Sequence, residues 1–337
     1  MTLLAGARFI IPTAHAMKIL PLLPQSFPVI RDGASVPAAL KRSYVAIGNF
    51  DGVHRGHKAV IEAARVQQLM IPEKSRTLAL TFEPHPQTFF RPETPVFRIT
   101  PETEKLRLLA GSGLVDGAVV LEFNRALATL TAEEFISSIL VNWLDIAGVA
   151  VGHDFHFGKH RQGTPEFLAD AGKRHGFEVE IVAPLNDDGR PVSSGRIREA
   201  LIAGDIAAAN ELLDHSWFVA GEVIHGEKRG RELGFPTANI RLDPSCKLKH
   251  AIYAVRAHVG WKVYDAVASY GRRPQFDNGA PLLETFLFDF SGDLYGQEIT
   301  IEFVGFIREE AKFDSLDALV ARMNRDGDEA RALLRKV

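Results

Sequence analysis

The chain reads as two domains in series: a parallel-sheet α/β domain of Rossmann-like type, then a small antiparallel β-barrel with a C-terminal helix. Three observations predict this. Short apolar runs alternate with helix-spaced stretches through the first half, the pattern of a parallel sheet with helices on both faces. Beyond about residue 214 the apolar runs follow one another with no helix between them, as in an antiparallel sheet or small barrel. The tail then returns to helical spacing.

The expected strands of the first half are Tyr44–Ile47, Leu78–Phe82, Ala118–Phe123, Gly148–Val151 and Glu178–Ala183. After His57, residues Ala59, Val60, Ala63 and Ala64 recur at helix spacing. Thr131 with Glu134 reads as a capping box. Residues 201–214 read as a short helical hairpin bridging the halves. The expected strands of the second half are Phe218–Ile224, Ile252–Val259, Tyr264–Tyr270, Leu282–Phe290 and Glu298–Phe306. In the tail, Leu316, Leu319, Val320 and Met323 fall on one helix face, with Ser315 as N-cap. The domain division expected is an extension over 1–22, a first domain over 23–200, a linker over 201–216 and a second domain over 217–337.

A length of 337 residues fits about two domains, and 46% hydrophobic residues suffice for real cores. The net charge of −3 gives no global attraction to nucleic acid or to an anionic membrane. Cys246 is the only cysteine, so no intrachain disulfide forms, which fits a reducing, cytoplasmic setting. No run of 18 apolar residues is long enough for a membrane span. The N-terminus mimics a secretion signal, ending on Ala14-His15-Ala16, but its first stretch lacks Lys and Arg8 and Pro12 break its apolar run. It reads as a dispensable leader, with Met17 as an alternative start.

The richest stretch is Tyr44–His57, YVAIGNFDGVHRGH. An apolar strand breaks at Gly48, and a tight segment carries Asn49, Phe50, Asp51, Gly52 and Gly56 around His54 and His57 before a helix begins. A helix start supplies free N–H groups and a positive dipole end. Glycines let the backbone approach a ligand, and imidazoles can donate to phosphate oxygens as charge builds there. In a parallel sheet, ligands sit at the carboxyl ends of strands, where this turn lies. A purely structural turn is the competing reading.

Three more segments fall at or after strand ends. TFEPHP, residues 81–86, holds Glu83 and His85 between fixed prolines, or is a stiffened loop. GHDFHFG, residues 152–158, sets Asp154 between aromatic side chains. Phe155 and Phe157 either stack a flat ring or belong to the core. SSGRIR, residues 193–198, places Ser193, Ser194, Arg196 and Arg198 at a helix start, which suits polyphosphate or is an N-cap with solvated arginines.

In the second half, GEVIHGEKRGRELGFPTANI (221–240) carries Gly226, Arg229, Gly230, Arg231 and Gly234, a basic glycine loop able to close over phosphates. Thr237 and Asn239, two apart on an extended backbone, point to one side and offer hard oxygen ligands for Mg²⁺. A proline turn with polar ends is the alternative. Glu284, inside the apolar run LLETFLFDF, either faces water or acts as a general base.

Taken in order, GNFDGVHRGH, TFEPHP, GHDFHFG, SSGRIR, GRELGFPTANI, YGRRPQF, LLETFLFDF and DLYG resemble the bifunctional bacterial FAD synthetase family, riboflavin kinase plus FMN adenylyltransferase. They span about residues 44 to 310. The resemblance implies a parallel-sheet nucleotidyltransferase domain followed by a barrel kinase domain. It implies ATP-dependent conversion of riboflavin to FMN in the second domain, then adenylyl transfer from ATP to FMN in the first, releasing pyrophosphate and FAD. By similarity His54 and His57 stabilise the triphosphate, and 193–198 grips it from the other side. Gly48, Asn49, Phe50, Asp51, Gly52 and Gly56 line that site. Asp154, Phe155, Phe157, Tyr270 and Arg273 are the implied flavin contacts. Gly226, Arg229, Gly234, Thr237 and Asn239 would hold Mg²⁺–ATP in the kinase, with Thr237 and Asn239 on the metal and Glu284 as base.

Three positions depart from the family pattern. Gly195 replaces a small hydroxyl residue, the loss of a phosphate donor costing about 1–3 kcal/mol if it bonds ATP directly. Ser269 and Gln275 replace the Asn and Thr of an Asn-x-Gly-x-x-Pro-Thr segment. The alternatives are a kinase with an impaired adenylyltransferase, a decayed flavin-binding regulator, and a barrel that binds nucleic acid. Intact His54, His57, Thr237, Asn239 and Glu284 argue against decay. The charge and the lack of a basic stripe argue against nucleic acid.

Overall fold

The computed structural model describes residues 23–70, 75–225, 235–272 and 281–336. The first domain is a six-stranded parallel sheet built from β1 (Val29–Arg31), β2 (Tyr44–Ile47), β3 (Thr77–Glu83), β4 (Gly117–Glu122), β5 (Gly148–Gly152) and β6 (Glu178–Val182). The strand order is β1-β4-β3-β2-β5-β6. From β2 the chain winds outward through β3 and β4, then returns to place β5 on the other side of β2. That reversal opens a crevice at the carboxyl ends of β2 and β5, where open α/β sheets bind ligands.

Alternation along the buried strands divides two cores. Val45, Ile47, Leu78 and Leu80 face one cluster with Phe135, Ile136 and Leu140, while Tyr44, Ala46 and Ala79 face the other with Ile61, Ala64 and Leu109. All five strands expected in this half are present to within one residue at each end. The three-residue β1 is too short to read from the sequence. The capping box forms: Thr131 Oγ1 accepts from Glu134 N, and Glu134 accepts from Thr131 N. The helix it starts passes into a π-helical stretch, Phe135–Trp143.

Between the strands of the sheet lie α1 (Arg55–Leu69), α2 (Pro86–Phe90), α3 (Glu102–Gly111), α4 (Arg125–Thr129), α5 (Ala132–Glu134) and α6 (Pro165–His175), and a small hairpin of β7 (Asn186–Asp187) and β8 (Arg190–Pro191) follows β6. Helices α7 (Ser194–Ala203) and α8 (Ile206–Leu213) come next; the bridging helical hairpin expected over 201–214 thus begins earlier, at Ser194. The second domain is an antiparallel barrel of β9 (Phe218–Glu222), β10 (Ala238–Ile240), β11 (Ala251–Val259), β12 (Lys262–Arg272), β13 (Pro281–Leu287) and β14 (Glu298–Glu309). The order is β10-β13-β12-β11-β14-β9, and a bridge between Ile224 and Asn239 joins the two ends. Its interior holds Tyr253, Val255, Ala266, Ala268, Tyr270, Leu283 and Phe303, continuous with Leu212, Leu213 and Trp217 of the bridge and with Phe97 and Ile99 of the first domain.

The helix Leu316–Leu334 is capped by Ser315 as expected. Of the expected face, Leu316 is exposed while Leu319, Val320 and Met323 are half-buried. The same stripe continues through Ala330, Leu333 and Leu334, which dock against Ala254 and Phe288. A bidentate pair from Arg308 to Asp326 anchors the helix midpoint.

Candidate active site

A cleft of about 930 Å³ lies over the β2–β5 crevice. One wall is the turn after β2 and the start of α1 (Arg55–Leu69). The glycines there have physical causes. A Cβ on Gly56 would stand 3.1 Å from Val192 O and 3.2 Å from the His54 ring. Gly52 takes φ +91°, which disfavours any side chain. The resulting tight turn stacks His54 and His57 with ring centroids 3.5 Å apart.

His54 caps α1: its Nδ1 accepts from His57 N at 3.2 Å. That acceptor role leaves the proton of the neutral ring on Nε2. Burial lowers the His54 pKa to about 4, despite the opposing pull of Asp51, and holds His57 well below its usual value. Both rings are neutral at pH 7. They act as hydrogen-bond donors, not as cations. His85 also lines the cleft, caps the helix Pro86–Phe90, and is lowered to about 4 by burial.

The opposite wall is the start of α7. Ser193 Oγ caps it by accepting from Arg196 N. Ser194 Oγ spends its proton on Asp51 O at 2.9 Å. Arg198 lines the cleft, with Nε on Phe97 O and Nη2 on the Asp51 carboxylate. Gly195 lies between them with open space, since an added Cβ would meet only Ser193 Oγ at 3.6 Å.

Gly48, Asn49, Phe50, His54, Gly56, His57, Ser193, Ser194 and Arg198 meet around this one cleft, with Asp154, Phe155 and Phe157. Three residues expected to line it are used otherwise. Asp51 is buried behind the turn, accepting from Ile99 N and Thr100 N and pairing with Arg198. Gly52 faces Ile99 and Leu213. Arg196 turns its guanidinium onto the carbonyls of Asp187, Arg190 and Pro191, pinning the hairpin before α7. A carboxylate in a helix–turn junction satisfies backbone donors first, and an arginine near free carbonyls does the reverse.

The far end of the cleft is aromatic. Phe82, Phe89 and Phe90 each pack edge-on to Phe123, at 6.0, 5.4 and 5.6 Å. Phe155 stacks on Phe157 at 5.4 Å, and Phe157 is buried against Phe135. Phe89 and Phe90, three and four residues beyond TFEPHP, carry no motif signal of their own in the sequence. Nor does Lys105, whose buried ammonium holds Glu83 at 2.7 Å alongside Arg98 Nη2, which donates to both Glu83 oxygens.

A second set of residues meets on the barrel's outer face. Asn239, Glu284 and Ser269 are direct cross-strand partners on β10, β13 and β12. Such neighbours on one face have Cβ atoms about 4.5–5.5 Å apart. Ala238 points into the core, so Thr237 and Asn239 both point outward with Glu284. Tyr270 does not join them. It pairs with Leu283 and lies in the barrel interior, and burial raises its hydroxyl pKa. A shift of one residue along a strand reverses the face, so Tyr270 belongs to the core, not to a flavin contact. Gly226, Arg229, Gly234 and Arg273, with Gln275, lie outside the described residues.

The FAD synthetase family pattern matches residues 36–196, and the riboflavin kinase pattern matches 213–334. A bifunctional riboflavin kinase/FMN adenylyltransferase of Pseudomonas fluorescens is 41% identical, covering 85% of this chain and 91% of its own. The chain belongs to this bifunctional family. A relative of the same description from Haemophilus influenzae is 38% identical over 90% of this chain and 98% of its own. A Streptococcus pneumoniae crystal structure described as a macrolide-efflux protein superimposes with TM-score 0.79 at 30% identity, covering 90% of this chain and 98% of that one. Efflux is said of that protein. Here, among the described residues, no helix is long and apolar enough to cross a membrane.

Proposed function

We propose that this chain makes FAD from riboflavin in two steps, at two separate sites, in the cytoplasm. Residues 217–337 form FMN from riboflavin and ATP, and residues 23–200 join FMN to the adenylyl group of a second ATP. The observation that carries the reading is the pairing of two chemically different sites in one chain, each suited to one reaction.

In the cleft, a phosphate oxygen of FMN attacks the α-phosphorus of ATP, and the bond to the pyrophosphate oxygen breaks. The attacking group is already an anion, so no base is required. Positioning and charge stabilisation carry the step. The His54 Nε2–H, His57, the free N–H groups at the starts of α1 and α7, and Arg198 supply donors along the phosphates. The Phe82–Phe89–Phe90–Phe123 group and Phe155, at the other end, offer rings to the isoalloxazine.

On the barrel face, the attacking group is the ribityl hydroxyl, which must lose a proton. Glu284 takes it as general base. Asn239 stands beside it in register and Thr237 shares its face, a set of oxygen donors that fits Mg²⁺. Among the described residues no group of three or more His, Cys, Asp or Glu could hold a metal ion, so these residues would hold Mg²⁺ jointly with ATP phosphates. Bound there, Mg²⁺ would neutralise charge on the transferring phosphoryl group.

Incubation of the purified protein with riboflavin, ATP and Mg²⁺ tests the reading, with flavins separated over time. FMN should rise and then give way to FAD. FMN without FAD would reduce the protein to a kinase, and unchanged riboflavin with folded protein would leave a flavin-binding regulator.

A further inference from the structure

The segment between the domains does more than connect them. Within 213–217, four side chains reach the first domain, two of them at the turn that carries the histidine pair. Leu213 packs on Gly52, its methyl 3.1 Å from where a Cβ would stand. Asp214 pairs with Lys58 of α1 at 2.9 Å. His215 Nε2 lies 3.1 Å from Gly52 O, and Trp217 Nε1 donates to Ile99 O at 2.9 Å. Ile99 N in turn donates to Asp51.

The same segment is held by the barrel. Phe303 N donates to Trp217 O at 2.8 Å, and Asn210 bonds both Phe303 O and Trp217 N. Glu302 is buried against His258 at 3.0 Å. His215 Nδ1 lies 2.9 Å from Ser216 O. Ala257, Ile301 and Phe303 point into the barrel core, so the buried His258–Glu302 pair lies on the opposite face of the sheet, where Glu302 is in register with Phe218 at the end of this segment. Gly52 is two residues from His54. Its carbonyl lies 3.1 Å from His215 Nε2, its N–H donates to Thr100 Oγ1 at 2.9 Å, and its φ of +91° is held from both sides; burial keeps His215 toward its neutral, single-donor form, and the tautomer with the proton on Nε2 donates to Gly52 O.

We propose that His215, from the connecting segment, is a positioning residue for adenylyl transfer. It fixes the Gly52 peptide and so the orientation of the turn that presents His54 and His57. His215 touches no substrate. The adenylyl site is then complete only with the barrel in place, while the kinase face, on the far side of β13, does not depend on it. The inference rests on adenylyl transfer taking place in the cleft.

The test compares full-length wild type, His215→Ala and His215→Gln, measuring FAD formation from supplied FMN and FMN formation from riboflavin. Glutamine keeps an amide N–H that can reach Gly52 O. The expected result is a fall in kcat for FAD formation of about 10-fold or more in His215→Ala, since small misplacement of reacting groups costs up to about 100-fold. KM for ATP should stay within about 2-fold, FMN formation should be unchanged, and His215→Gln should recover most of the rate. Equal losses in both activities, or an unchanged kcat in His215→Ala, would overturn the positioning role. So would a His215→Gln variant as slow as His215→Ala. Wild type that makes no FAD from FMN would instead remove the cleft assignment, and this inference with it.

Discussion

The two candidate sites are built in opposite ways. The cleft is deep, and its polar groups hold one another before any substrate arrives. His54 caps a helix, Ser194 bonds Asp51 O, and Asp51 fixes both Arg198 and the 99–100 backbone. The barrel site is a row on one face of a sheet, where cross-strand register brings Asn239, Glu284 and Ser269 together. The difference follows the chemistry. Transfer to an anion needs preset donors and no base, so it profits from rigidity. Transfer to an alcohol needs one base at the right place, and strand register supplies that.

This contrast is broken most severely by removing the base. Glu284→Gln should lower FMN formation by about 10³-fold, the middle of the range for general-base catalysis, and leave FAD formation from supplied FMN intact. A matching loss of both activities in a flavin assay would mean the sites are not separate. His57→Ala should do the reverse, lowering adenylyl transfer by about 10²–10³-fold, the scale for a donor to developing charge, while the kinase rate holds.

Asp51 sharpens the comparison, because its carboxylate is structural. Asp51→Ala strands Arg198 and two backbone donors, and should cost about 3–5 kcal/mol of stability. Urea unfolding reads this directly.

The acid response should also belong to the cleft. His54 and His85 are lowered by burial from 6.5 to about 4, so the unfolded chain binds their protons first. Their contribution to stability is complete above the unfolded value of 6.5 and is lost as pH falls toward 4, with a slope of up to about 1.4 kcal/mol per pH unit for each ring. Urea midpoints taken across that window should fall with pH, and His85→Gln should flatten the slope. A midpoint that rises on acidification would contradict burial of neutral rings.

The smallest expected effect is a gain. Gly195→Ser has room for its side chain and restores a hydroxyl at the start of α7. A hydrogen bond to phosphate worth about 0.5–1.5 kcal/mol predicts a KM for ATP in FAD formation lowered by roughly 2- to 10-fold. The KM for ATP in FMN formation should not move.

Much of this was legible in the sequence, because strands with clear apolar runs and helices with side-chain caps are local properties. Tyr44–Ile47, the Thr131–Glu134 box and the Ser315 cap follow from neighbours within a few residues. So did the gathering of His54, His57, Ser193 and Arg198, since each lies at a strand end or helix start of a parallel sheet. What stayed hidden depends on partners far along the chain. Asp51 and Arg196 look like phosphate ligands until Thr100 and the 187–191 carbonyls are seen beside them. Tyr270 looks like a flavin contact until its register with Leu283 turns it inward. The role of His215 needs the turn at Gly52, 163 residues away.

The most direct measurement mixes Glu284→Gln with His57→Ala in the presence of riboflavin, ATP and Mg²⁺. Alone, the first should form no FMN, and the second should stop at FMN. Together they should form FAD, because FMN released by one is used by the other. A mixture that forms no FAD, although each variant keeps its own half-reaction, would contradict two independent sites.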